Sequence, residues 1–391
     1  MQGLIINSTL QCTLLLFIPF LFAYILKQTK IRSWAMIGGV IGGILLGPAI
    51  FGSVAHDYWE DLFKGGSAQH KQVIQLERQQ HADILAATTL GVDEIIRMQM
   101  RAEQQYDLKL AGDAWDKAQW DSQQTLRDYA ILLIICILLG GSMRCSAKGT
   151  APHAMSLSVG VWAVIVPSGI TSLLLLLFTE MNVTEVLALG ACLGAGPWTL
   201  ASWEQRVANK SERNGALLML RCGRVAWIGA GIIAIYAAWQ VRGAMALVWM
   251  LPLLLLPVIW IVPRKKWRWL EAFVDYAAIP SVMATSIVLI NPLEHLEFWP
   301  IVLVLLFCAD ARWLGGIIGL GLLGGRKSGD AMRLSIPLVD AGVSQLCLAA
   351  LLIGVGALPP SFAIAALLGA VFLEYTAPIR MKMATLNVEH N

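Results

Sequence analysis

Residues 190–197 read GACLGAGP and residues 337–342 read PLVDAG, each inside a long apolar run. Pro197 and Pro337 each withdraw a backbone donor from a helix, and the glycines beside them tolerate an unwound chain. In lipid such an interruption survives only where the freed backbone is buried in protein or lines a cavity. The rest of the chain fits that setting. Its 391 residues are 57% hydrophobic and 14% charged, with a mean hydropathy of +0.65; about a quarter of a soluble domain is charged. About 20 apolar residues cross the hydrocarbon layer, and the need to pair every backbone group there makes such runs helical. The short alternating segments of a membrane β-barrel are absent. The expected fold class is an all-α polytopic membrane protein.

About eleven spans are expected: Leu10–Leu26, Trp34–Ser53, Tyr129–Met143, His153–Phe178, Val183–Trp203, Gly215–Trp239, Ala244–Val262, Ala272–Ile290, Trp299–Leu323, Leu334–Gly356 and Phe362–Thr376. Lys and Arg gather on alternate connections, as in Lys27–Arg32, Arg206–Arg213, Arg264–Arg268, Arg326–Arg333 and Arg380–Lys382. Arg242 is the exception on the other side, where Glu180, Glu294 and Glu297 lie. The positive-inside bias then puts the N-terminus outside and the C-terminus in the cytoplasm of a bacterial inner membrane. The first run has no Lys or Arg before it and no small-residue cleavage site, so it is read as a retained helix. The seven cysteines lie in or beside apolar runs without a CxxC pair and are read as packing residues.

Four stretches follow: 1–54 with the first two spans, a polar insert at 55–127, the rest of a first repeat at 128–243, and a second repeat at 244–391. The insert carries helix formers over His70–Ala87 and Asp93–Asp121, with a turn at Gly91 and a thin apolar stripe. That predicts a helical hairpin outside the membrane. Residues 55–127 could be a solvated spacer, a surface for homodimer formation or one for a partner protein, and the sequence does not choose.

The two interrupted spans, the fifth and the tenth, lie five apart and run in opposite directions. One extra helix followed by two inverted five-helix repeats puts each break fourth in its unit, so that two discontinuous helices cross near the midplane, as in many secondary transporters. In the second span, Gly39, Gly43 and Gly47 recur every four residues and make a smooth packing face. Gly319-Leu-Gly321-Leu-Leu-Gly324 matches a dinucleotide fingerprint in letters but follows no strand, and is set aside.

Ile37–Gly52, IGGVIGGILLGPAIFG, resembles the second-helix signature of the monovalent cation:proton antiporter (sodium/hydrogen exchanger) superfamily. Leu138–Arg144 resembles that family's segment ending in Gly and an acid, Leu193–Trp203 its unwound helix, and Asp340–Leu346 its second broken helix. Arg312 falls where the family places a membrane-embedded Lys or Arg. The resemblance implies Na⁺ or K⁺ exchange for protons by alternating access. The chain departs from the family where its carboxylates belong. Ala195 and Gly196 replace the Thr and acid or Ser before Pro197, and Arg221–Gly229 holds no acid.

A charge at membrane depth normally faces a partner or a water-filled cavity. Arg224, Asp310, Arg312 and Asp340 are therefore the candidate core residues, with Gly196, Pro197, Thr199 and Pro337 shaping the breaks. Arg224 is expected to pair with Asp340 or Asp310, and Arg312 to prop the crossing. Asp340 or Asp310 would be a displaced ion or proton site. Asp275 and Glu374 are expected near the interfaces. Three readings remain: monovalent cation:proton exchange, a transport-inactive subunit acting as sensor or assembly partner through the insert, and an anion or organic solute carrier. The expected partners are the lipid bilayer, a monovalent cation and a proton. No nucleic acid is expected, since no contiguous basic face is present. No cofactor, metal cluster or catalytic motif is read, so no enzyme is expected.

Overall fold

The computed structural model describes residues 2–31, 33–65, 67–89, 94–144, 154–197, 210–253, 267–322, 325 and 327–386. These residues form helices joined by short turns, with no strand among them. The long helices are α1 (Gln2–Gln28), α2 (Trp34–Leu46), α3 (Ser67–Thr89), α4 (Glu94–Ser122), α5 (Gln124–Arg144), α6 (Ala154–Phe178), α7 (Val183–Gly194) and α8 (Lys210–Arg242). They continue with α9 (Arg268–Ile290), α10 (Phe298–Leu322), α11 (Ser328–Ser335), α12 (Gly342–Val355) and α13 (Pro360–Leu386). Among the described residues, eight helices are long and apolar enough to cross a membrane, and up to nine if the bent pair Ser328–Val339 and Gly342–Val355 is one span. The chain therefore has the build of a polytopic membrane protein.

Four expected runs extend past what the structure describes: those beginning at His153 and ending at Leu323 by one residue each, the fifth, followed to Pro197, and the seventh, followed from Ala244 to Leu253. Thr199 lies outside the described residues.

Small residues decide how closely these helices approach. In α2, Gly38 and Gly42 face α1, and added Cβ atoms would lie 2.6 Å from the Cα of Ala23 and 2.9 Å from that of Pro19. Gly39 and Gly43 face α9, at 2.5 Å from the carbonyl oxygen of Pro280 and 3.0 Å from the Cα of Ala284. The double-glycine repeat thus serves two neighbours, and α2 sits clamped between α1 and α9. A second group gathers around α6 and α10, where Cβ atoms on Gly315 and Gly319 would come within 2.7 Å of the Trp162 carbonyl oxygen and 2.8 Å of the Val159 Cα. Around that pair, α6 packs on α7 and α8 while α10 packs on α11 and α13. α7 also packs on α8, and α12 on α13.

The insert is helical, as its composition suggests. α3 and α4 pack on each other, with the His70 ring stacked 4.5 Å from Trp115 and Gln104 Nε2 donating to Asp83 Oδ2 at 3.2 Å. α4 runs into α5 with a single turn residue at Gln123, so the insert is rooted directly on a spanning helix. Its foot is closed by Ser122 Oγ donating to the Lys64 carbonyl at 2.9 Å.

Candidate functional site

α7 begins with a reciprocal cap: Glu185 N donates to Asn182 Oδ1 at 3.0 Å and Asn182 N to Glu185 Oε2 at 3.1 Å. It ends at Gly194, after which Ala195 turns extended (φ −61°, ψ 113°). The extended residues lie on α8 backbone to backbone. A Cβ on Gly196 would sit 2.4 Å from the Gly223 carbonyl oxygen, and one on Gly223 would sit 2.3 Å from that of Pro197. Only glycine fits on either side of this contact, and all of Leu193–Pro197 is buried.

The second break has a different build. α11 passes into a 3-10 turn at Ile336–Val339 that holds Pro337, buried. The chain leaves the helix at Asp340 and Ala341 and restarts as α12 at an angle of 51°. Asp340 forms an ion pair with Arg380 of α13, whose Nη2 and Nε donate to Oδ1 at 2.6 and 3.2 Å. Both side chains are largely buried, 8% exposed for Asp340 and 14% for Arg380. Arg380 also donates to the Leu373 carbonyl at 2.7 Å. Beside it, a carboxylate oxygen of Glu374 lies 3.1 Å from where a Cβ on Gly342 would stand. Two carboxylates therefore adjoin the first turn of α12, whose unpaired N–H groups favour negative charge.

Arg312 joins the end of α7 to the broken pair α11 and α12. It reaches inward from α10 with 1% of its surface exposed, and Nη2 donates to the Cys192 carbonyl at 2.9 Å and to Gln345 Oε1 at 2.7 Å. Cys192 lies in the last turn of α7 and Gln345 at the start of α12, and those two helices touch. Gln345 Nε2 in turn donates to the Ala366 carbonyl of α13 at 2.8 Å. One guanidinium thus ties α7, α10, α12 and, through the amide, α13. Its Nε and Nη1 are buried and meet no hydrogen-bond partner among the described residues.

The structure brings Arg312, Gly196, Pro197, Pro337 and Asp340 to the region of the breaks. Arg224 is buried on α8, 5% exposed, one residue beyond the Gly223 contact. Asp310 is not at the crossing. It is exposed on α10 in line with exposed Leu306 and Leu314, two positions and about 200° around the helix from Arg312. Sequence reasoning missed Arg380, which it left in the basic tail, and did not place Glu374 beside Gly342. It also missed Gln345. The clue to Arg380 and Glu374 was their spacing in one uninterrupted helical run from Pro360, which carries Glu374, Thr376 and Arg380 past the second break.

No family model matches this chain, and no curated protein matches it either.

Proposed function

We propose that the chain is a divergent member of the monovalent cation:proton antiporter superfamily, a secondary transporter that exchanges Na⁺ or K⁺ for protons by alternating access. The observation that carries this reading is that one buried guanidinium, Arg312, binds both the Cys192 carbonyl at the end of α7 and Gln345 at the start of α12. Helix packing supports an inverted repeat of five helices. The contacts of α6 with α7 and α8, and of α7 with α8, recur as those of α10 with α11 and α13, and of α12 with α13. The repeats would be completed by α2 and α5 on one side, and by α9 and the run over 244–262 on the other. That gives the eleven spans of the sequence, with the N-terminus outside and the C-terminus in the cytoplasm.

The exchange site in this reading is Asp340 rather than the first break, where backbone packing fills the space. A carboxylate that alternates between counter-charges can couple two ions: Arg380 holds it, a monovalent cation displaces Arg380, and a proton neutralises it. Glu374 stands near enough to share the cation. In proteoliposomes with an imposed pH gradient, adding Na⁺ or K⁺ should dissipate the gradient, and Asp340→Asn should abolish the response. Silence toward every monovalent cation would remove the exchange claim.

A second reading is favoured by the unmet Nε and Nη1 of Arg312, with Arg224 also buried: an anion or organic acid carrier on the same framework. Uptake of a labelled carboxylate that survives Asp340→Asn and is lost in Arg312→Lys would select it over cation exchange. A transport-inactive subunit working through the insert predicts neither flux, and predicts loss of function when residues 55–127 are removed.

A further inference from the structure

Away from the breaks, a cavity of about 340 Å³ opens between the foot of the insert and the ends of α9, α12 and α13. Its walls carry two kinds of chemistry. Trp59, Phe63 and Leu358 supply apolar surface, and Trp59 spends its one donor on the Leu46 carbonyl at 3.0 Å, so its ring is what remains to line the space. Arg127, Lys64 and His295 supply positive or protonatable groups, against Glu294 as the acid in the wall.

Arg127 is the centre of this arrangement. It is 4% exposed, and its acceptors are neutral: the Trp120 carbonyl at 2.7 Å and Gln123 Oε1 at 3.2 Å. The nearby acids Asp121 and Asp128 are on the exposed surface. The guanidinium carbon of Arg127 lies 3.2 Å from the centroid of the Trp120 ring, and that of Arg242 lies 3.7 Å from the same centroid. Two groups that close to one centroid must occupy opposite faces of the indole. Arg242 fixes its Nε on the Val355 carbonyl at 3.2 Å, which leaves Nη2 beside Gly356 at the cavity wall. Two like charges are thus held on one ring, with guanidinium N–H groups in excess of the acceptors they meet among the described residues.

We infer that this vestibule binds an amphiphilic anion, a carboxylate or phosphate head joined to an apolar body. The paired guanidiniums and Lys64 take the head, where charge-assisted and bidentate hydrogen bonds are strongest. The indole and phenyl rings take the body. Size separates this ligand from a bare inorganic ion, since the cavity is many times the roughly 30 Å³ share of a water molecule. The vestibule lies apart from Asp340 and Arg312, so the inference is independent of the exchange reading.

The head group could belong to a soluble organic acid or to an anionic lipid, and two arms of one experiment separate them. Full-length protein in a neutral detergent is titrated calorimetrically with octanoate, with octanol as the uncharged match. The same protein in nanodiscs is examined by native mass spectrometry for retention of phosphatidylglycerol over phosphatidylcholine. The expected result is saturable binding of at least one anion in preference to its neutral match, weakened about tenfold or more in Arg127→Gln, Arg242→Gln and Lys64→Gln. Octanoate alone assigns a soluble acid, and phosphatidylglycerol alone assigns a lipid. Arg242 and Lys64 lie toward the surface, so their variants keep the test alive if Arg127→Gln does not fold. Equal binding of charged and uncharged probes overturns the inference, as does unchanged anion binding in both Arg242→Gln and Lys64→Gln.

Discussion

The end of α7 and the link between α11 and α12 leave the helical path with different chemistry. After α7 the chain unwinds as Ala195, Gly196 and Pro197 and lies directly on the backbone of α8 through Gly196 and Gly223. Before α12 it unwinds at Asp340 and Ala341, where an ion pair to Arg380 and the carboxylate of Glu374 surround the new helix start. Beyond the Arg312 bond to the Cys192 carbonyl that both regions share, the first is held by backbone packing and the second by an ion pair. A pH or ion response in the framework should therefore come from the second.

Removing what joins the breaks should have the largest effect. Arg312→Met leaves the Cys192 carbonyl and Gln345 Oε1 buried without this donor, and should destabilise by about 2–4 kcal/mol. Thermal unfolding in detergent reads this as a much lower midpoint, with Arg312→Lys between the two; a midpoint equal to wild type would mean that the guanidinium does not hold the crossing. Next comes the first break alone. Gly223→Val forces a side chain against the Pro197 carbonyl and should cost about 1–3 kcal/mol, equally at pH 5 and pH 8. A pH-dependent loss there would erase the contrast between shape and charge.

The second break should show coupling instead. A double-mutant cycle on Asp340→Asn and Arg380→Gln is expected to give an interaction energy of about 1–3 kcal/mol, since both partners are largely buried. Additive losses would show that the pair is not what secures this break. The smallest effect belongs to Asp310→Asn, which sits on the exposed face of α10 and should change stability by no more than about 0.5 kcal/mol, with exchange intact.

The helical, apolar character of the chain was legible because lipid forces apolar runs into helices, although eight, or up to nine, candidate spans stand among the described residues against about eleven expected. The end of α7 before Pro197 was legible because proline and glycine act locally. The second break was legible in Pro337 and Asp340, but its partner was not. Arg380 lies 40 residues away, and its basic neighbours made it look like part of a cytoplasmic tail rather than the last turns of α13. Asp310 and Arg312 show a rule left unused. Two residues apart on a helix cannot share a face, and the small residues Cys308, Ala311 and Gly315 mark the inward side, while Leu306 and Leu314 mark the outward one. The doubled glycines of α2 were read as one packing face, and the intervening one-residue offset, which serves a second neighbour, was missed.

Ala341, 1% exposed in the link between α11 and α12, offers the most direct probe of a break that opens to both sides. With the seven native cysteines replaced by alanine, Ala341→Cys is introduced and challenged in sealed vesicles with a membrane-impermeant thiol reagent from each side. Labelling from either side, with the balance shifted by pH and by Na⁺ or K⁺, is the result the account predicts. A thiol that reacts from one side only, or from neither, under every ionic condition would contradict it.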